Sequence, residues 1–282
     1  LLTAFAHSVY GFLGKKAVGK TDQRVVSAST FVFALIVLVP FLVWQGIPTV
    51  LPLFWIALLV SGILNIVAFS WFLTALAEGE LSLTVPLLAL SPLFLTITSP
   101  LIVGEFPSLG GLAGVLLVVI GCYVLRIHTI TNGKWLEPFR QIWTTKASRY
   151  MLGVAVIYSI AAAVDKLGVQ HSSPAFWSVS IVVFLAVAFL LLFFLNRNLK
   201  GKNIPIPFFS LISMGLFLGA TILFQNVAVK DGPVLYVNAI KSSSILLSVI
   251  FGHVFLKEKG FHERFAGAIL ILIGIMVIRF FG

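Results

Sequence analysis

Residues 105–126 read EFPSLGGLAGVLLVVIGCYVLR, and residues 258–279 read EKGFHERFAGAILILIGIMVIR. Displaced by 153 positions without a gap, the two stretches share Glu105/Glu258, Ala113/Ala266, Gly114/Gly267, Leu117/Leu270, Ile120/Ile273, Gly121/Gly274, Val124/Val277 and Arg126/Arg279, eight identities in 22 positions. The same displacement lays Gly62, Ala75, Gly79 and Ser91 on Gly215, Ala228, Gly232 and Ser244 farther upstream. A shared apolar composition does not produce a glutamate–glycine–arginine frame at one spacing, so the chain is an internal duplication.

What is duplicated is a set of apolar runs. Of 282 residues, 60% are hydrophobic and 10% charged, with a mean hydropathy of +1.11. A soluble domain carries about 25% charged residues. The apolar residues form runs of the roughly 20 residues that cross a hydrocarbon core, without the alternation of a membrane barrel. Spans are expected at approximately 1–18, 24–46, 52–77, 81–103, 107–127, 148–168, 174–196, 206–229, 234–256 and 261–281. The fold class is therefore an all-α integral membrane protein of ten transmembrane helices. Residues 1–127 form one five-helix repeat and residues 148–282 the other. Five is odd, so the second repeat enters from the opposite side and the halves are inverted around a central cavity. Residues 128–147 link them. Trp135, Leu136, Phe139, Ile142 and Trp143 recur there at helical spacing, which suits either an amphipathic helix in the headgroup region or a plain linker with aromatic anchors.

The frame Glu105-Phe-Pro, followed by Gly111 to Gly121, and its copy from Lys257-Glu258-Lys to Gly274 resemble the EamA-type family of the drug/metabolite transporter superfamily. The resemblance covers essentially the whole chain. It implies a ten-helix basket with a central cavity and alternating access, and relatives that move amino acids, sugar nucleotides, sugar phosphates and drugs. The small multidrug members rely on a buried glutamate, and no counterpart stands at the centre of a span here. A cation–drug antiporter of that design is disfavoured.

Of 19 basic residues, 18 sit at breaks or span ends. The exception is Lys241, about seven residues or on the order of 10 Å into the ninth span. A lysine at a helix centre costs roughly 2.5–3.5 kcal/mol on insertion scales and faces the bundle interior or a wet cavity. Asn238, Lys241, Ser244, Ser248 and Gly252 step by three or four residues into one polar stripe. The matching stripe of the first half reads Val85, Leu88, Ser91, Leu95 and Ser99, so the duplication is broken at this charge. Lys241 reads as a counter-charge for a carboxylate or phosphate, or else as a snorkelling or structural lysine. Asn65 with Ser61, and Gln225 with Thr221 and the neighbouring Asn226, are polar groups that either glue helices or line a cavity. Trp71, Tyr10, Tyr158 and Tyr236 are candidate pocket walls. His7 is the candidate for proton coupling, against a structural role. Asp165-Lys166 and Lys15 read as gate or interface charges. Pro86, Pro92 and Pro100 are expected to bend or break span four.

Among the five histidines (7, 128, 171, 253 and 262) no pair is spaced for a metal, and no HExxH or GxSxG occurs. No enzyme, metal or cofactor is expected. The net charge of +10 lies in the breaks, where it sets orientation, and not in a nucleic-acid patch. Fifteen basic residues fall in breaks on one side, against Lys166, Lys230 and Arg279 on the other. That bias places both termini outside, whereas the resemblance implies both inside. The opening run starts on Leu1 without a methionine, and trimming of the terminus is expected. The expected partners are a small-molecule substrate and membrane lipid, with the protein a monomer or homodimer in the plasma or inner membrane. The leading functional expectation is transport of a zwitterionic or anionic metabolite, an amino acid first. Exchange of an organic phosphate or nucleotide sugar stands as the alternative, and a receptor, scaffold or intramembrane enzyme as the rival from other classes.

Overall fold

A computed structural model describes residues 2–18, 22–106, 108–125, 140, 143–195 and 208–281. Among these residues all regular structure is helical. The elements are α1 (Leu2–Val18), α2 (Gln23–Gln45), α3 (Leu53–Glu78), α4 (Leu81–Ile102), α5 (Leu109–Val124), α6 (Lys146–Gln170), α7 (Pro174–Leu195), α8 (Phe208–Asp231), α9 (Val234–Leu256) and α10 (Phe261–Phe281). Eight of them, all but α1 and α5, are long and apolar enough to cross a membrane. α1 has 17 residues and α5 has 16. Most of the expected linker helix, with Trp135, Leu136, Phe139 and Ile142, lies outside the described residues, as does Arg126 of the repeat frame. Trp143 is exposed.

The helices are apolar all round, and small residues recur on their buried faces. On α3, Trp55, Ile56, Leu59 and Ile63 are exposed, while Ala57, Ser61, Ala68 and Ala75 are buried. Lipid offers no hydrophobic drive for one apolar helix to leave it for another, so helices associate where small residues allow close backbone approach. The duplicated stretch is the clearest case, because it packs on its own copy, α5 against α10. A Cβ added at Gly114 would lie 2.5 Å from the Gly274 carbonyl, and one at Gly274 would lie 2.7 Å from the Gly114 carbonyl. Gly121 and Gly267 meet in the same way, 2.9 Å from each other's carbonyl in both directions. Residue i touches j′ and j touches i′, the pattern of contact across a two-fold axis. Other contacts between the halves are reciprocal too, with α1 on α8 and α3 on α6, and α2 against α7.

α4 and α9 are broken rods. In α4, Leu81–Thr84 is α-helical, Val85–Leu90 is 3₁₀ and Ser91–Ile102 is α-helical again, with Pro86 and Pro92 at the starts of the second and third pieces. Proline removes a donor and clashes with the preceding turn, as the sequence predicts at Pro86 and Pro92, whereas Pro100, expected to bend or break the span as well, lies inside the continuous piece Ser91–Ile102. α9 breaks as well, between Val234–Ser242 and Ser244–Leu256, although it carries no proline there. The two rods end in matching turns. Gly104 and Lys257, 153 residues apart, both adopt the left-handed conformation, at φ 82° and 56°. Gly104 N–H donates to the Ser99 carbonyl at 3.0 Å, and Glu258 N–H to the Gly252 carbonyl at 3.1 Å.

Candidate substrate cavity

A cavity of about 100 Å³ lies between the halves. α1 contributes His7 and Tyr10, α3 Asn65, α6 Tyr158 and Asp165, α8 Gln225 and Asn226, and α9 Lys241. Phe31, Phe69, Ile181, Leu185, Leu218 and Ile222 complete an apolar part of the wall. The polar part is held in place by short-range bonds. Lys241 Nζ donates to Gln225 Oε1 at 3.0 Å and sits 6.0 Å from the centre of the Tyr158 ring. Asn65 Nδ2 donates to the Ser61 carbonyl (2.9 Å) and Oγ (3.0 Å), and Ser61 Oγ donates in turn to the Asp165 carboxylate. Asn226 Nδ2 donates to Ser178 Oγ at 2.9 Å. Tyr10 stacks on His7 and Phe72, with ring centres 5.8 and 5.4 Å apart. The lining therefore offers an ammonium from α9 and a carboxylate from α6. Buried charges persist in such surroundings only when paired or hydrogen-bonded.

The placement of Asp165 departs from the sequence reading, which sets it beside Lys166 as a gate charge. It lies five residues before the end of α6, and consecutive residues of a helix point about 100° apart. Asp165 thus turns into the cavity in phase with Tyr158 and Ala162, while Lys166 turns to the end of the bundle. Three residues grouped with the site lie elsewhere, and Tyr236 of α9 is one of them, lining neither this cavity nor the smaller chamber beside it. Trp71 packs edge-on to Tyr150 on the outer surface and covers Gly153. Ser248 is buried, with its hydroxyl donating to the Ser244 carbonyl of its own helix at 3.0 Å. Asn238 and Ser244 line a second, smaller chamber that shares His7, Tyr158 and Lys241 with the first.

Among the described residues, the breaks at the ends of α4 and α9 carry the densest clusters of charged hydrogen bonds. Glu258 reaches across to the start of α4 and accepts Leu81 N–H at 2.7 Å and Ser82 N–H at 3.0 Å, together with the Ser82 hydroxyl. Arg264, buried at 4% exposure, donates to Ser82 Oγ and pairs with Glu80 and, at 3.4 Å, with Glu258. Glu105 does the same at the start of α9, accepting Val234 N–H at 3.1 Å and Ser99 Oγ at 3.3 Å and pairing with Lys166. Val234 is the 153-residue counterpart of Leu81. Lys166 Nζ also donates to the Gly232 carbonyl at 2.9 Å, and Lys15 Nζ donates to the carbonyl of Gly79, the counterpart of Gly232, at 2.5 Å. Each glutamate thus satisfies the orphan donors of a helix start in the other half, where the dipole favours an anion. The 22 residues of α4 span on the order of 33 Å at 1.5 Å per residue, with Glu258 at one end and Glu105 at the other. α9 starts at Glu105 and ends at Glu258, so the two rods run antiparallel and the two clusters sit at opposite ends of the bundle.

A fold of apolar helices long enough to span a bilayer, closed around a buried cavity with charged residues in its lining, defines a multi-pass membrane protein. The family model of the EamA-like transporter family matches residues 1–127 and 145–280, and the chain belongs to that family. A WAT1-related protein of Arabidopsis thaliana is 22% identical over 194 residues, which cover 62% of this chain and 54% of that protein. The chain thus matches about half the length of this curated relative. A solved crystal structure superposes with a TM-score of 0.72 at 16% identity, covering 99% of this chain and 95% of that one, which shows a shared fold.

Proposed function

We propose that the protein is a secondary transporter that moves a small zwitterionic or anionic metabolite, an amino acid before others, by alternating access around the cavity. The observation that carries this reading is the presence of Lys241 and Asp165 on one cavity within the membrane-spanning bundle. Lys241 takes the carboxylate of the solute and Asp165 its ammonium, with Asn65, Gln225 and Asn226 supplying neutral hydrogen bonds and the aromatic and aliphatic wall holding the remainder. At about 100 Å³ the cavity is smaller than the roughly 150 Å³ that admits benzene in an engineered core, which favours a compact solute over a nucleotide sugar.

The two five-helix halves, residues 1–127 and 148–282, act as an inverted repeat of ten spans. The gap-free duplication, the reciprocal glycine contacts of α5 with α10, and the antiparallel course of α4 and α9 support it. Alternating access then has a physical device at each end. The Glu258–Arg264 cluster ties α4 shut at one end, and the Glu105–Lys166 cluster ties α9 shut at the other. Opening one while keeping the other exposes the cavity to one side only. His7, beside Lys241 in the cavity wall, is the candidate for proton coupling.

The test is a binding screen of the purified protein by intrinsic tryptophan fluorescence against the proteinogenic amino acids, small organic acids and phosphate esters, with Lys241→Ala as control. A charged hydrogen bond is worth about 1.5–3 kcal/mol, so the control weakens the solutes that bind by ten-fold or more. Binding of anionic and zwitterionic solutes that is unaffected by Lys241→Ala defeats the assignment.

A further inference from the structure

The small chamber beside the cavity has a construction that the transport reading does not require. Its volume is about 20 Å³, room for one or two water-sized groups. It lies between the breaks of α4 and α9, and three residues that line it from α4 are duplication partners of three that line it from α9: Val85 and Asn238, Leu88 and Lys241, Ser91 and Ser244 are each 153 positions apart. The chamber therefore straddles the axis that relates the halves. A symmetric chamber would have matching walls. Here the α4 side is closed by the side chains of Val85 and Leu88, while α9 supplies an amide and an ammonium in their place.

The polar groups in its lining are under-used. His7 Nδ1, Ser91 Oγ and Asn238 Nδ2 are buried and have no hydrogen-bond partner among the described residues. Asn238 is 3% exposed and Ser91 5%. A buried polar atom without a partner costs about 1–3 kcal/mol, and a native protein retains one where a ligand or water completes it. Asn238 Nδ2 and Lys241 Nζ are donors, and the Ser91 hydroxyl donates when an acceptor faces it. Among the described residues that line the chamber none is acidic. A cation finds no carboxylate here, whereas an acceptor-only group finds three donors.

We propose that this chamber is a carboxylate subsite, in which Asn238 and Ser91 bind the oxygens of the solute's carboxylate while Lys241, at the opening to the main cavity, neutralises it. The inference rests on the transport reading and deepens it. The carboxylate leaves the main cavity for the small chamber, the ammonium stays with Asp165, and the side chain lies along the apolar wall. Val85 and Leu88 keep the back of the subsite dry, which strengthens a charge-assisted hydrogen bond relative to one in water. Selectivity for an acid over the amine that lacks its carboxyl group then comes from Asn238 and Ser91 together with the charge of Lys241.

The experiment uses the full-length protein in nanodiscs and a matched set of probes: the proteinogenic L-amino acids, the amines left when their carboxyl group is removed, and the acids left when their amino group is removed. Affinities are measured in chloride and again in methanesulfonate, which carries no carboxylate. Asn238→Leu keeps the branched shape and the number of heavy atoms and removes the donor, and Asn238→Asp sets a carboxylate against the bound one. Ser91→Ala provides a third, less disruptive variant. The expected result is a loss of at least ten-fold for the amino acids and the carboxylic acids with Asn238→Leu, a larger loss with Asn238→Asp, and a loss of about three-fold with Ser91→Ala. The amines change by less than two-fold. Equal losses for acids and amines, or none for the acids, overturn the subsite while leaving Lys241 and Asp165 as the site. An effect that follows chloride and not the probe's carboxylate assigns the chamber to a free anion and overturns it as well. If no probe with a carboxylate binds the unaltered protein, the transport reading falls and the subsite with it.

Discussion

Replacing Glu258 by alanine removes the centre of one end cluster and leaves its partners buried. Leu81 and Ser82 lose the acceptor of their N–H groups, and Arg264 keeps only Glu80, whose side chain is 49% exposed, as an anionic partner. Breaking a buried ion pair by removing one member costs about 3–5 kcal/mol. Because Glu80 retains part of the arginine's charge compensation, the lower end applies, about 3 kcal/mol. A cost borne by the closed end alone shifts the conformational equilibrium toward opening there by on the order of 100-fold, at 1.4 kcal/mol per factor of ten. Glu105→Ala, which strands Lys166, does the same at the opposite end. The assay is thiol accessibility. The single native cysteine, Cys122, is changed to serine, Thr221 on the cavity wall is changed to cysteine, and a membrane-impermeant maleimide is applied from one side of sealed vesicles and then from the other. Glu258→Ala raises the labelling rate from one side and Glu105→Ala from the other, each by on the order of 100-fold unless intrinsic reaction becomes limiting. Acceleration by both variants from the same side, or by neither, refutes the assignment of the clusters as opposed gates.

Other consequences follow from single positions. Lys257 holds a left-handed conformation that its duplicate fills with Gly104, and a non-glycine residue pays roughly 1–2 kcal/mol there. Lys257→Gly therefore raises the unfolding midpoint in detergent, and Gly104→Ala lowers it, although a Cβ at Gly104 meets no atom within 4 Å. Gly274→Leu forces α5 and α10 apart at the Gly114 carbonyl and costs about 1–3 kcal/mol or more, seen as loss of monodisperse protein on heating. Asn226→Ala removes the bond to Ser178, which within a membrane is worth about 0.6 kcal/mol on average. It shifts the unfolding midpoint by little, and a change in solute affinity beyond three-fold marks Asn226 as a direct contact.

The helices are legible in the sequence because apolar length and charged breaks act locally. The helix bounds of α2, α3 and α6 through α10 fall within about two residues of the hydropathic runs. The polar stripe of α9 is legible for the same reason: Asn238, Lys241 and Ser244 share a face by helical phase and do line a chamber. Phase also links Asp165 to Tyr158 and Ala162, yet its neighbour Lys166 draws attention to the span end. What phase cannot supply is distance across the bundle. Arg264 reads as one more basic residue after a break, and only the packing of α10 against the start of α4 buries it among Glu80, Ser82 and Glu258. Trp71 reads as a wall aromatic because the sequence does not say which face of an all-apolar helix meets lipid. The break in α9 has no proline to announce it. The duplication points to it instead, since α4 is broken at the matching place.

The central claim is that Lys241 and Asp165 hold the two ends of one solute. It is tested most directly by flux of a labelled amino acid, chosen from those that bind, in proteoliposomes containing the unaltered protein, Lys241→Ala or Asp165→Asn. The account predicts flux above empty liposomes for the unaltered protein, with uptake lowered at least ten-fold by either substitution. The matched acid, which lacks the amino group, is impaired by Lys241→Ala and spared by Asp165→Asn. Undiminished flux in both variants contradicts it.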